Sequence, residues 1–111
     1  MSTQLDSDEP VIVNGTAEFE DLIAGGETVL VDFHADWCGP CKMMEPVVAE
    51  IAADTDAVVA KVDVDANQPL AQNYGVRGVP TLLLFDEGEP VERLVGVQSA
   101  DQLTTVVDRY A

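Results

Sequence analysis

Basic residues are scarce. Five Lys and Arg stand against 21 Asp and Glu, a formal net charge of −16 on 111 residues. A polyanion would be repelled by such a chain, so neither nucleic acid nor an anionic membrane is an expected partner. Long apolar runs are also missing, and none approaches the roughly 20 residues of a membrane span. The opening "MSTQLDSDEP" has neither the basic start nor the apolar stretch of an export signal. The expected location is cytoplasmic, where thiols are kept reduced. Histidine occurs once, as His34, and cysteine twice. A tetrahedral zinc site built from two ligand pairs has too few ligands here, and the spacing of a calcium loop is absent. No glycine-rich nucleotide fingerprint is present, since "GVRG" at 75–78 does not fit one. No cofactor is therefore expected, and electrons for any redox chemistry have to come from another protein.

What is present suits one α/β domain. Apolar residues make up 47% of the chain, enough for a core without disulfide help. Residues 1–10 read as a loose acidic extension and 11–111 as the domain. "VIV" (11–13) reads as a short strand. Thr16 is placed to cap a helix carrying Phe19, Leu22 and Ile23, which "GG" (25–26) ends. "TVLVDF" (28–33) is β-branched and apolar on both faces, the pattern of a central buried strand. The next helix carries Met44, Val47, Val48 and Ile51 on one stripe, with Pro46 inside it as a source of kinking. "AVVAKVDV" (57–64) gives a second strand parallel to the first. A short helix is expected near 68–74, and "TLLLF" and "PVERLVGV" flank "DEGE" as a hairpin. Ser99 and Gln102 form a capping box ahead of Leu103, Val106, Val107 and Tyr110. The sum is a βαβ half followed by a ββα half.

Both cysteines lie in "ADWCGPCKMMEP", residues 35–46. A bridge between Cys38 and Cys41 closes a very short loop, so it would stabilise little. A redox pair fits better. Where a buried strand turns into a helix, Cys38 falls at the helix N-terminus, whose free amides and dipole favour an anion. The thiolate is the attacking species in disulfide exchange. Cys41 lies one turn further in, within reach of a mixed disulfide at Cys38, and Pro40 pre-sets the first turn. A Cys-x-x-Cys beside a βαβ pattern points the same way.

"VDFHADWCGPCK", "RGVPTLLLF", the hairpin glycine of "DEGE" and the glycine of "LVGV" together resemble the thioredoxin family over roughly residues 11–110. The resemblance implies a mixed five-stranded sheet flanked by four helices. It implies a general protein-disulfide reductase, a monomer, with Cys38 as the exposed nucleophile and Cys41 as the buried resolving thiol. Asp32 matches the carboxylate behind Cys41, and Lys61 matches its partner on the neighbouring strand. Pro80 matches a proline with a cis bond facing the disulfide. Trp37, Gly39, Pro40, Val79, Pro80 and Gly96 match the flat surface that receives substrate chains. The implied partners are a thioredoxin reductase and disulfide-containing target proteins. Many relatives carry a bulky aromatic residue where this chain has His34.

Several of these residues have plainer readings. Asp32 in "LVDF" is costly there without a partner; burial raises its pKa and Lys61 opposes that. His34 reads as a packed side chain, with tuning of the site near neutral pH as the alternative. Met43 and Met44 read as core packing, and "DVD" (63–65) as a solvated turn. An oxidase or isomerase and a thiol-independent binding module stay open beside the reductase. The acidic surface is either a solubility feature or an adaptation to high salt.

Overall fold

The computed structural model describes residues 8–111, so most of the expected N-terminal extension, residues 1–7, lies outside the described residues. The elements run β1 (Val11–Ile12), α1 (Thr16–Ala24), β2 (Val29–His34), α2 (Gly39–Asp54), β3 (Val58–Asp63), α3 (Gln68–Asn73), β4 (Thr81–Asp86), β5 (Glu89–Val95) and α4 (Ala100–Asp108). The strands form one sheet in the order β1-β3-β2-β4-β5. β3 is parallel to both β1 and β2, and β4 is antiparallel to β2 and β5. This is the expected mixed sheet of five strands with four helices. No described helix is long and apolar enough to cross a membrane.

β2 is central because it is apolar on both faces. Its alternation sends Val29, Val31 and Phe33 into a core under α1 and α3, with Phe19, Ile23 and Leu70. Leu30 points the other way, into a core closed by Met44, Val48 and Ile51 of α2 and by Leu103 and Val107 of α4. Asp32 shares that second face by the same alternation, so a carboxylate lies in the sheet under the start of α2. Phe19, Tyr74 and Phe85 pack edge-to-face or tilted in the first core, with ring centroids 5.3 to 5.5 Å apart.

The caps differ in how they follow from local sequence. Ser99 Oγ accepts from Gln102 N–H at 3.1 Å and Gln102 Oε1 accepts from Ser99 N–H at 3.0 Å, the reciprocal box expected there. At α1 the cap residue is Gly15, not Thr16, and no side chain caps it. Gly15 N–H instead donates to Asn67 Oδ1 at 2.7 Å, a residue 52 positions away that also opens α3. The β4–β5 turn is the two-residue Glu87-Gly88, with φ of +53° and +82°. That left-handed pair matches the twist of a hairpin, and glycine carries the second position without strain. Met43 departs from the expected core packing. It is 63% exposed while Met44 is fully buried, because adjacent helical residues point about 100° apart and only one of them can face the sheet.

Candidate active site

The turn from β2 into α2 sets the site. Cys38 is the cap residue of α2 with extended backbone, and Pro40 lies in its first turn. Cys41 N–H points back at Cys38 Sγ, 3.1 Å away. An unpaired helix amide therefore already faces this sulfur, the arrangement that favours a thiolate. Cys38 and Cys41 are disulfide-bonded, with Cα atoms 5.2 Å apart. Lys42 Nζ donates to the Asp36 carbonyl at 2.9 Å and ties the preceding loop to the helix.

The two sulfurs face different surroundings. Cys38 Sγ lies 3.7 Å from the Val79 carbonyl oxygen, a contact in the disulfide and a hydrogen bond only when Cys38 carries a proton. The Val79–Pro80 peptide bond is cis. Gly96 N–H donates to the Pro80 carbonyl at 2.9 Å, so the end of β5 is drawn beside the proline. Trp37 is 71% exposed, and its Nε1–H donates to Asp65 Oδ2 at 2.9 Å. Between Trp37 and Val79 lies a shallow crevice of about 100 Å³, lined also by Val64, Val76, Arg77 and Gly78. Trp37 and Val79 share this crevice, Gly39 and Pro40 are exposed at the start of α2, and Gly96 is tied to the buried Pro80.

Cys41 faces inward. It lines a cavity of about 150 Å³ with Asp32, His34, Ala35, Asp36, Lys42, Glu45 and Lys61. Asp32 is almost completely buried, and neither carboxylate oxygen has a hydrogen-bond partner among the described residues. Burial raises its pKa from 3.8 to about 6, against the lowering pull of Lys61 and with a smaller upward push from Glu45. The balance that composition left open is thus decided by burial. His34, half-buried in the same cavity, is pushed below its ordinary pKa by burial and then by Lys61, against the opposing charges of Asp63, Asp36 and Glu45.

Two expectations need correction. Cys38 is not the exposed member of the pair: it is 3% exposed and Cys41 4%. Both pack with Ala35 against Val64 and Val79, so what separates them is what each faces. Lys61 is the cross-strand neighbour of Asp32 but makes no ion pair with it. Its Nζ lies 4.0 Å from Glu45 Oε2, because a long flexible lysine reaches the wetter carboxylate at the cavity mouth at lower desolvation cost.

Sequence reasoning missed Glu45 and Asp65. Glu45 follows Cys41 by one helical turn, a spacing that puts both over the same part of the sheet. Asp65 was covered by the turn reading of "DVD". That reading holds for Asp63, whose Oδ1 accepts from the Asp65 and Ala66 amides, but Asp65 itself braces Trp37.

The family model for thioredoxin matches residues 10–109. The chain belongs to the thioredoxin family. It is 52% identical over 80 residues to thioredoxin from Mycobacterium tuberculosis H37Rv, covering 70% of this chain and 69% of that protein. It is 45% identical over 96 residues to Staphylococcus aureus thioredoxin, covering 85% and 91%. Among solved structures, a point mutant of thioredoxin from Halobacterium salinarum NRC-1 superposes with a TM-score of 0.92 at 54% identity, covering 97% of this chain and 96% of that one. As a thioredoxin-family protein with a bonded cysteine pair at a helix start, the chain is a protein-disulfide reductase working by dithiol–disulfide exchange through Cys38 and Cys41.

Proposed function

We propose that the two cysteines divide the exchange reaction between the two sides of the helix start. The Cys38 thiolate attacks one sulfur of a target disulfide. That S–S bond breaks, Cys38 and the target become a mixed disulfide, and the first target thiolate leaves and takes a proton from water. Cys41 then gives its proton to the Asp32 carboxylate and attacks Cys38 Sγ. The mixed disulfide breaks, the second target thiolate leaves, and two electrons have passed to the target. Cys38–Cys41 is left oxidised. Lys61 sets the charge balance of the proton step. Trp37, Gly39, Pro40, Val79, Pro80 and Gly96 receive the target chain in extended form.

One observation carries this reading. Asp32 is a buried carboxylate with no hydrogen-bond partner among the described residues, in the same cavity as Cys41. A satisfied structural acid would have partners, whereas an acceptor held near pKa 6 is ionised at neutral pH and ready to take a thiol proton.

The reading extends to setting. One domain over residues 11–111 acts as a monomer and is recharged by a thioredoxin reductase. It works in the cytoplasm on disulfides of other proteins, where a reducing pool suits this chemistry better than an oxidase role. A net charge of −16 and the likeness to a Halobacterium protein support a salt-rich interior. The test is dithiothreitol-driven reduction of insulin by the parent, Cys38→Ser and Cys41→Ser, with the redox potential of the pair measured alongside. A potential in the range of disulfide oxidants, near −120 mV rather than near −270 mV, would overturn the reductase assignment.

A further inference from the structure

Lys61 stands between two carboxylates. In the β2–β3 register it is the partner of Asp32, yet its ammonium is held 4.0 Å from Glu45 Oε2. Glu45 lies on α2 one turn beyond Cys41 and lines the cavity with Cys41, Asp32 and Lys61. Asp32 is left without a hydrogen bond among the described residues. We propose that Glu45 is a positioning residue for the resolving step, acting through Lys61: by drawing the ammonium to the cavity mouth it keeps Asp32 a good acceptor for the Cys41 proton. This rests on the reading of Asp32 as that acceptor.

The argument is electrostatic. A lysine settled on Asp32 would stabilise its charged form and weaken it as a base. Glu45 opposes this twice, by holding Lys61 elsewhere and by adding its own negative charge, and it is among the causes that raise Asp32. Asp32 also shares its surroundings with His34 on β2, Asp36 in the following loop, and Lys42 and Cys41 on α2; Asp63 at the end of β3 pairs with His34. Among them, burial pushes His34 below its ordinary pKa, toward its neutral form. Glu45 is 62% exposed in its side chain. Its influence is therefore modest and salt-sensitive, and replacing it leaves the core untouched.

The experiment is a ¹³C-carboxyl NMR titration of Asp32 in the oxidised protein at 0.1 M KCl, with the His34 ring followed in the same samples. Glu45→Gln is expected to lower the Asp32 midpoint by about half a pH unit, on the scale exposed ion pairs produce. In a Lys61→Met background the same substitution should shift it by less than half as much, and in 2 M KCl the shift should shrink. Single-turnover release of target from a Cys38 mixed disulfide should slow by up to about threefold at neutral pH in Glu45→Gln. Equal midpoints in parent and Glu45→Gln would overturn the proposal. A full-sized shift surviving in Lys61→Met would overturn it too, because Glu45 would then act on Asp32 directly. The acceptor reading is tested apart from this. If Asp32→Asn releases target as fast as the parent with the same pH profile, that reading fails. If Asp32→Asn removes the pH dependence while Glu45→Gln leaves the Asp32 midpoint in place, only the role of Glu45 fails.

Discussion

Two cysteines of nearly equal burial, three residues apart, face opposite kinds of surroundings. On one side of the helix start, Cys38 meets the carbonyl of Val79, a residue that lines an open crevice with Trp37. On the other, Cys41 lines a polar cavity with Asp32, Lys61 and Glu45. In the proposed reaction the first side receives an extended chain and the second takes a proton. Reactivity here is divided by environment and not by accessibility. A helical turn is what makes the division possible, because it carries the two sulfurs close enough to bond while Cys38 meets the loop before β4 and Cys41 meets β2 and β3.

The largest break in this comparison comes from the thiols. Cys38→Ser should abolish attack on disulfides. Cys41→Ser should still attack and then stall as a long-lived mixed disulfide, visible as a covalent adduct by mass spectrometry. Equal loss of attack in both variants would remove the division of labour.

Next in size is the cavity side. The folded-state pKa of Asp32 lies above its unfolded value, so the folded state holds the proton longer. Stability is therefore greatest below about pH 4 as far as this group is concerned, and falls as pH rises toward 6. With a midpoint raised from 3.8 to about 6, the ionised group costs about 3 kcal/mol at neutral pH. Asp32→Ala should be more stable than the parent at pH 7 by up to that amount, less the cost of the vacated space, and slower in releasing target. Paired urea melts at pH 7 and pH 4 check the sign: the gain should shrink toward pH 4. A variant less stable than the parent at pH 7 would make Asp32 a structural acid.

The crevice side should give a smaller effect of another kind. Trp37 is mostly exposed, so Trp37→Ala should leave the melting temperature nearly unchanged. It should raise KM for a protein disulfide by about tenfold, the scale of one aromatic contact, with little change toward a small-molecule disulfide. Equal losses toward both substrates would mean that Trp37 shapes the sulfur and not the docking surface.

Salt should separate the two sides least, because the acidic exterior surrounds both. Screening length falls from about 10 Å at 0.1 M to about 3 Å at 1 M, so repulsion among 21 acidic residues should fade over that range. The melting temperature of the oxidised protein should rise steeply between 0.1 and 1 M KCl and slowly above it, and sucrose at matched osmolality should not reproduce the steep part. A flat curve would make the acidity a matter of solubility alone.

Local chemistry was legible wherever it is local. The central strand, the capping box at Ser99, the Glu87-Gly88 turn and the placing of Cys38 at a helix start all follow from residue type and spacing within a few positions. Each rests on backbone geometry that neighbouring residues supply by themselves. The cap of α1 was not legible, because Gly15 is bonded to Asn67, 52 residues on. Glu45 as the partner of Lys61 was not legible either, since helix and strand meet only through the tertiary fold.

The sequence by itself determined that two thiols stand at the mouth of a helix, that a carboxylate lies in a buried strand six residues earlier, and that the whole carries a charge of −16. These are facts of order, period and composition. Only the tertiary structure decided which group each sulfur faces, that burial outweighs Lys61 at Asp32, and that Lys61 turns to Glu45 instead. The reason is physical: desolvation and Coulomb energy depend on distances across the fold. Whether a buried charge is matched or left alone is therefore set by which elements pack together.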